Sequence, residues 1–380
     1  MHRSGILVIR TVLSRNEPNV NQSSTIDHLV SLVLQALSDN NKYRNISKYE
    51  YGPLDINAFS ITFWITLYGS AGLSSVYVKI PKIVFYDKAI DFKSPLTTAD
   101  RVLASDEYKS LQYLSDHWDS SHGVEFVKPL CYIEAHNAII TPRIEGDLFF
   151  EQYRKSNLSG GALKEDGRED SVALGMWKLG ASLDAFHSQA AVESSFTCRE
   201  VLPKLRSYTE YLASRNVSEQ YLGEVLNTIS DYKDVQCRSL IVNNLKGIDI
   251  RQIFVSSSNM LYIIDPGKMS RGYREVDIAR FIVTCRILYW GTPRILFRTT
   301  PDQSYEEEFF KGYSNAGEYS LMMLNVLVIK ELFKQWKMGH TSLTVRRWPS
   351  VLKYIVQKIY IDPFYKWMIA KEVERLEAEV

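Results

Sequence analysis

Residues 239–268, SLIVNNLKGIDIRQIFVSSSNMLYIIDPGK, decide how this chain folds and what it could do. An apolar run leads into a polar loop, and two further apolar runs, IFV and MLYIID, bracket a Ser-rich turn. Short runs of β-branched and aromatic residues around a turn predict a β-hairpin. Asp265 ends the second run, where a buried carboxylate is costly unless it is paired. A magnesium ion would pair it, as in a phosphotransferase, and a turn role before Pro266 is the alternative.

The composition indicates a globular chain that is long enough for two domains. It has 380 residues, of which 45% are hydrophobic and 23% charged. The 45 basic and 44 acidic residues give a net charge of +1, so the basic excess expected of a nucleic-acid-binding protein is missing. The four cysteines form no CxxC pair, which argues against a zinc site.

Neither a membrane span nor a signal peptide is predicted. No stretch reaches the roughly 20 apolar residues that cross a bilayer. The apolar patch near the N-terminus is interrupted by Arg10 and Arg15. We therefore expect a cytoplasmic protein with reduced thiols, and no sequence feature sets its oligomeric state.

Hydrophobic periodicity divides the chain into three parts. Residues 1–45 form an extension with one amphipathic helix, at residues 24–41. Residues 46–147 are rich in strand-like runs, and residues 148–380 have mostly helical periodicity. The order predicts an α+β fold of two lobes, a small antiparallel β-sheet lobe and a larger helical lobe.

The β-rich part has a recognisable order of elements. Two strands joined by GSAGLSS form a hairpin within residues 56–87. A helix follows at residues 97–118, with Thr98 or Asp100 as its cap. Two short strands then surround an Ala-His-Asn turn within residues 123–146.

Lys79 and Glu107 are the charged residues of this part that suggest chemistry. Lys79 lies in VYVKIPK on the strand face opposite Val76 and Val78. It is either a surface lysine or a phosphate-binding one. Glu107 follows on the next helix, and a strand lysine followed by a helix glutamate is the order of the kinase ion pair.

Taken in order, eight segments resemble the aminoglycoside phosphotransferase and choline kinase group of the protein-kinase-like fold. They span roughly residues 55–315 and read VYVKI, EYKSLQYL, IITPRIEGD, LGASLDAFHS, IDIRQIFV, LYIIDPG, YREVDIARF and FFKGY. The resemblance implies ATP and Mg²⁺ as cofactors and a hydroxyl of a small molecule or carbohydrate as acceptor.

The resemblance also implies roles for single residues. Lys79 would orient the ATP phosphates and Glu107 would brace Lys79. Backbone groups near Thr141 and Arg143, in the hinge IITPRIEGD, would contact adenine. Asp265 would be the magnesium aspartate.

The catalytic loop departs from the family pattern of His-Gly-Asp, four residues and Asn. Aligning the strand IFV places Gln252 at the Asn position, where its amide oxygen would still bind magnesium. The same alignment places Gly247 at the Asp position, and glycine accepts no proton. Asp249 lies two residues later, and a loop shortened by two residues would make it the catalytic base.

Three interpretations remain open from the sequence. The first is an ATP-dependent phosphotransferase that uses Asp249. The second is a kinase-fold pseudoenzyme that binds nucleotide or a partner without efficient transfer. The third is an unrelated α+β protein.

Overall fold

The structure is a computed structural model of the chain. The residues it describes are 20–38, 43, 46–56, 60–69, 72–81, 97–158, 171–245, 248–289, 297–299, 301–313, 319–345 and 348–378. The chain divides into two compact units. The first unit is Met1–Trp118, Glu125–Asp147 and Phe254–Met269, and the second is Asp119–Val124, Leu148–Ile253 and Ser270–Val380. Residues 254–269, which the periodicity of the sequence assigned to the helical part, thus group with the β-rich unit.

The secondary structure confirms an α+β chain. The α-helices of the described residues are α1 (Val20–Leu37), α2 (Thr98–His117), α3 (Phe149–Leu158), α4 (Ser171–Ser188), α5 (Leu202–Ala213), α6 (Glu219–Asp231), α7 (Glu275–Arg286), α8 (Ser304–Gly312), α9 (Leu321–Val345), α10 (Ser350–Ile355) and α11 (Asp362–Ala378). The strands are β1 (Ile46–Tyr51), β2 (Asp55–Ile56), β3 (Ser60–Gly69), β4 (Gly72–Pro81), β5 (Val124–Phe126), β6 (Cys131–Ile133), β7 (Ala138–Pro142), β8 (Asp147–Leu148), β9 (Val192–Thr197), β10 (Gln236–Leu245), β11 (Ile253–Val255), β12 (Leu261–Ile263) and β13 (Met269–Tyr273).

An antiparallel sheet forms the first unit. Its strand order is β1–β3–β4–β7–β6, and β2 pairs with β3. The predicted hairpin is β3 and β4, which pair from Ser60 opposite Pro81 to Gly69 opposite Gly72. The strands β5, β12, β11 and β8 form a further four-stranded sheet, whose residues belong mostly to this unit.

Alternation along the strands gives the main sheet one apolar face. Val76, Val78 and Ile80 of β4 are buried there, among residues of β3, β7 and α1. Because successive side chains of a strand point to opposite faces, Tyr77 and Lys79 lie on the other face. Helix α1 covers the apolar face, and it begins at Val20, four residues before the predicted start.

The N-cap of helix α2 lies one residue before the first of the two predicted caps. Thr97 is the N-cap: its side chain accepts a hydrogen bond from the Asp100 backbone, and Asp100 accepts one from the Thr97 backbone. This reciprocal capping box corrects the prediction that Thr98 or Asp100 is the cap, because Asp100 is the third residue inside the helix.

The second unit is mostly helical but contains one sheet that the sequence did not predict. Its strand order is β13–β10–β9. The strand β9 has the sequence VESSFT, which has few apolar residues and therefore gives no clear alternation.

Two glycines allow α4 and α8 to pack closely. A Cβ at Gly180 of α4 would overlap the carbonyl oxygen of Phe309, and a Cβ at Gly312 of α8 would overlap that of Trp177. Glycine at both positions of the crossing therefore sets the distance between the helices.

Replacing either crossing glycine by alanine tests this packing. We expect Gly180→Ala and Gly312→Ala each to lower the free energy of unfolding by roughly 1–3 kcal/mol, because the added methyl group overpacks the crossing. Urea unfolding measures the change. The matched control is Gly223→Ala in α6, where a Cβ meets nothing within 4 Å; we expect it to stabilise by up to about 1 kcal/mol. Equal effects at all three positions would contradict the close approach.

Candidate nucleotide site

Three charged side chains of the first unit meet at one point. Lys79 Nζ donates hydrogen bonds to Glu107 Oε1 at 2.7 Å and to Asp265 Oδ2 at 2.6 Å. Lys79 comes from β4, Glu107 from α2, and Asp265 follows β12. The three side chains are 17%, 6% and 23% exposed, in that order. The lysine–glutamate pair expected from the sequence is therefore present, and Asp265 is its third member.

Asp265 also starts a turn, which is the alternative role that the sequence offered for it, and its role as a magnesium ligand stays a prediction. Its Oδ1 accepts a hydrogen bond from the backbone of Gly267 at 3.2 Å. Gly267 has φ +62°, a left-handed conformation that favours glycine. One residue later, Lys268 Nζ donates to Asp106 Oδ2 on α2 at 2.7 Å. The turn is thereby attached to the helix that supplies Glu107.

The three side chains together have an excess of negative charge. Burial alone would lower the pKa of Lys79, but the charges of Asp265 and Glu107 outweigh it and raise that pKa above its ordinary value. The pKa of Glu107 is raised from 4.5 to about 7, first by burial and then by the charge of Asp265, against the opposing effect of Lys79. A cation bound beside Asp265 would favour the ionised form of Glu107.

The donors fit a magnesium ion that arrives with a nucleotide. Among the residues that the structure describes, no three His, Cys, Asp or Glu side chains are grouped to hold a metal ion. Magnesium usually takes one or two carboxylates and completes its shell with phosphate oxygens and water. Asp265 offers one partly exposed carboxylate. Gln252, the other predicted ligand, is a half-buried residue of the second unit, and its pairing with Asp265 on one ion stays a prediction.

The raised pKa of Glu107 predicts a pH dependence of stability. The folded state binds more protons than the unfolded state between about pH 4.5 and 7, so the stability that Glu107 contributes is complete below that window and is lost as the pH rises through it. We expect Glu107→Gln to flatten the fall of melting temperature over this range. A matched control is Glu134→Gln, at an exposed position. An unchanged slope in Glu107→Gln would contradict the assignment.

The predicted hinge residues lie at the end of β7 in the same sheet and just after it. Thr141 pairs with Tyr77 in the β4–β7 ladder. The backbone N–H of Arg143 donates to the carbonyl of Ser75 at 3.0 Å, so this donor is already used. The Arg143 guanidinium lies 4.6 Å from the centre of a Trp64 ring. Stacking on Trp64 is a role that the sequence did not indicate for Arg143.

Asp249, the predicted base, lies in the second unit and is tied to a neighbour. It caps a short 3-10 helix, Ile250–Gln252, and accepts a hydrogen bond from the Arg251 backbone at 2.9 Å. Its two oxygens also accept from Arg251 Nε at 2.8 Å and Nη2 at 2.5 Å. Burial alone would raise the pKa of Asp249, but these hydrogen bonds and the charge of Arg251 lower it. Asp249 is therefore an ionised carboxylate with both oxygens engaged.

The start of the same loop is anchored by Asp277 of α7. Asp277 Oδ2 accepts from the backbone of Leu245 at 2.7 Å and from Asn244 Nδ2 at 3.3 Å. His187 Nε2 lies 3.1 Å from the same oxygen, and His187 Nδ1 lies 2.6 Å from the Tyr313 hydroxyl. Asp277 and His187 are thus structural residues, which join α4, α7 and the end of β10 through buried hydrogen bonds.

Solved structures identify the fold. An ethanolamine kinase from Plasmodium vivax is 11% identical over 97% of this chain and 93% of its own, with a TM-score of 0.53. A macrolide 2'-phosphotransferase from Brachybacterium faecium is 9% identical over 88% of this chain and 98% of its own, with a TM-score of 0.50. The chain has a protein-kinase-like fold. No protein-family model matches the sequence, and no curated protein is significantly similar to it.

The kinase-like fold confirms the predicted fold class and excludes the third interpretation. At these identities the likeness shows the fold alone. Lys246 and Gly247, where the loop departs from the family pattern, lie outside the described residues. None of the described helices is both long and apolar enough to cross a membrane.

Proposed function

We propose that this kinase-like chain is an ATP-dependent phosphotransferase whose acceptor is a hydroxyl of a small molecule or carbohydrate. The observation that supports it best is Lys79 held between Glu107 and Asp265. The two carboxylates keep the lysine charged and fix the position of its Nζ. A fixed positive charge beside a carboxylate that can bind magnesium suits the phosphates of ATP.

Different residues of the first unit would contact the phosphates, the magnesium ion and the adenine of ATP. Lys79 would orient the phosphates, and Glu107 would hold Lys79. Asp265 would hold magnesium, which neutralises phosphate charge when it is bound. Because the N–H of Arg143 is used within the sheet, adenine would pair with other backbone groups of the hinge near Thr141. A cytoplasmic location, where ATP and magnesium are abundant, belongs to the same proposal.

Asp249 would orient the acceptor hydroxyl more than deprotonate it. A lowered pKa keeps the carboxylate ionised at neutral pH but makes it a weak base. Phosphoryl transfer through a loose transition state needs positioning and charge stabilisation above all. One oxygen of Asp249 would have to exchange its hydrogen bond from Arg251 for one from the acceptor.

A second candidate function is nucleotide binding without efficient transfer. This function is favoured by the pairing of Asp249 with Arg251, because the Arg251 side chain donates hydrogen bonds to both oxygens of Asp249. The glycine at position 247 favours it too, since the family pattern has its aspartate there.

Substitution of Asp249 separates the two functions. If Asp249 positions the acceptor, Asp249→Asn should lower the rate of magnesium-dependent ADP formation by roughly 10²–10⁴ and leave ATP binding unchanged. ADP release from ATP, with water or a panel of alcohols and sugars as acceptor, is the readout. Asp231→Asn, at the exposed end of α6, is the matched control, and Lys79→Met sets the background.

Two other outcomes would contradict this expectation. Full activity in Asp249→Asn, with loss in Lys79→Met, would contradict the role of Asp249 but keep the phosphotransferase. A wild-type rate equal to that of Lys79→Met, with ATP still bound, would favour the pseudoenzyme.

A further inference from the structure

One helical segment of the second unit leaves most of its large apolar residues in solvent. Helix α10 continues into a π-helix, Val356–Ile361; none of the residues of α10 is buried, whereas Ile361 at the end of the π-helix is. Five large apolar residues of this segment are 42% to 71% exposed, and we call them the apolar face: Val351, Leu352, Tyr354, Ile355 and Ile359. A helix of a globular protein normally buries its apolar stripe. Five such residues within nine positions indicate a surface that something else covers.

A basic pocket adjoins the apolar face. Its volume is about 230 Å³, and Arg215, Ser350 and Lys353 are among its lining residues. Lys353 Nζ donates to the carbonyl of Thr344 at 3.1 Å, and Gln357 Nε2 donates to the carbonyl of Arg215 at 2.8 Å, which holds the wall of the pocket together.

The pocket favours an anion. None of the described residues that line it is acidic. Within the described part of the chain, neither Arg215 nor Lys353 forms an ion pair with a carboxylate. From Ser350 to Ile361 the sequence has two lysines and no acidic residue. An anionic group in the pocket would therefore meet two positive charges without competition from a carboxylate.

Charge argues against two occupants that the chain itself could supply. A second copy docked face to face would bring Arg215 and Lys353 of both copies together. Residues 1–16 contain three arginines and no acidic residue, so this segment would also be repelled.

We propose that the apolar face and the pocket dock this unit onto a bilayer that contains anionic phospholipid. The aliphatic side chains would enter the boundary between head groups and acyl chains, and Tyr354 would lie at the level of the head groups. Arg215 and Lys353 would bind the lipid phosphate. A protein interface is enriched in aromatic residues and arginine at its core, whereas four of the five residues of the apolar face are aliphatic. The proposal is independent of phosphoryl transfer.

Vesicle flotation of the full chain tests the proposal. We expect binding to vesicles of phosphatidylcholine with phosphatidylserine and little binding to phosphatidylcholine alone. Val351→Asp with Ile359→Asp should abolish flotation, because two charges would have to enter the interface. Both side chains are mostly exposed, so the fold should survive, and circular dichroism checks it. The matched control is Val192→Asp, an apolar residue of β9 that is 55% exposed.

The role of the basic pocket is tested separately, by vesicle flotation of single variants. Arg215→Gln and Lys353→Gln should each weaken partition to the phosphatidylserine vesicles about fivefold. Lys233→Gln, an exposed lysine elsewhere in the unit, should not.

Three results would overturn the proposal. One is no binding to the phosphatidylserine vesicles. Another is binding that persists in the double aspartate variant. The third is dimerisation or capture of an acidic protein that the double variant abolishes while vesicles are ignored, which would assign the face to a protein partner.

Discussion

The hydrogen bonds from Lys79 to Glu107 and Asp265 are the interaction on which the first unit depends most. They join a strand, a helix and the turn after a hairpin, three elements that are far apart in the sequence. A buried lysine between two carboxylates is stable only while all three groups stay close, because each loses its hydration on burial. The arrangement therefore fixes where β4, α2 and the turn lie, and it leaves one negative charge in excess. A purely structural ion pair needs no excess negative charge, whereas the proposed phosphate site would use that charge to bind magnesium.

The second unit has a different constraint around its polar loop. Asp277 accepts a hydrogen bond from the backbone of Leu245, where the loop leaves β10. Asp249 accepts one from the backbone of Arg251, in the short 3-10 helix that follows. The three residues between these two points include no carboxylate, so Asp249 is the acidic residue that the loop offers. In the proposed enzyme, transfer would depend on the exchange of one hydrogen bond between Asp249 and Arg251. The proposed enzyme and the pseudoenzyme differ by this exchange and share the rest of the structure.

Much of the first unit could be predicted from sequence because its signals are local. The alternation of VYVKI gives the face of Lys79, and the order of strand lysine and helix glutamate gives its partner. The cap of α2 was misplaced by one residue, since Thr97, Thr98 and Asp100 are all good capping residues and only the backbone geometry separates them. The strand β9 was missed because its polar sequence pairs through the backbone with β10. The pairing of Asp249 with Arg251 was also beyond prediction, because residues two apart face each other only when the backbone turns between them.

Calorimetric titration of the protein with ATP, with and without Mg²⁺, tests whether Asp265 and Lys79 hold the phosphates of magnesium-bound ATP. We expect wild-type protein to bind ATP more tightly with Mg²⁺ than without it. We expect Asp265→Asn to lose this enhancement and to bind ATP roughly tenfold more weakly, or weaker still. Asp116→Asn, which removes an exposed surface pair with Lys128, should bind as wild type does. Unchanged Mg²⁺-dependent binding in Asp265→Asn, or no binding of ATP by the wild type, would contradict the account.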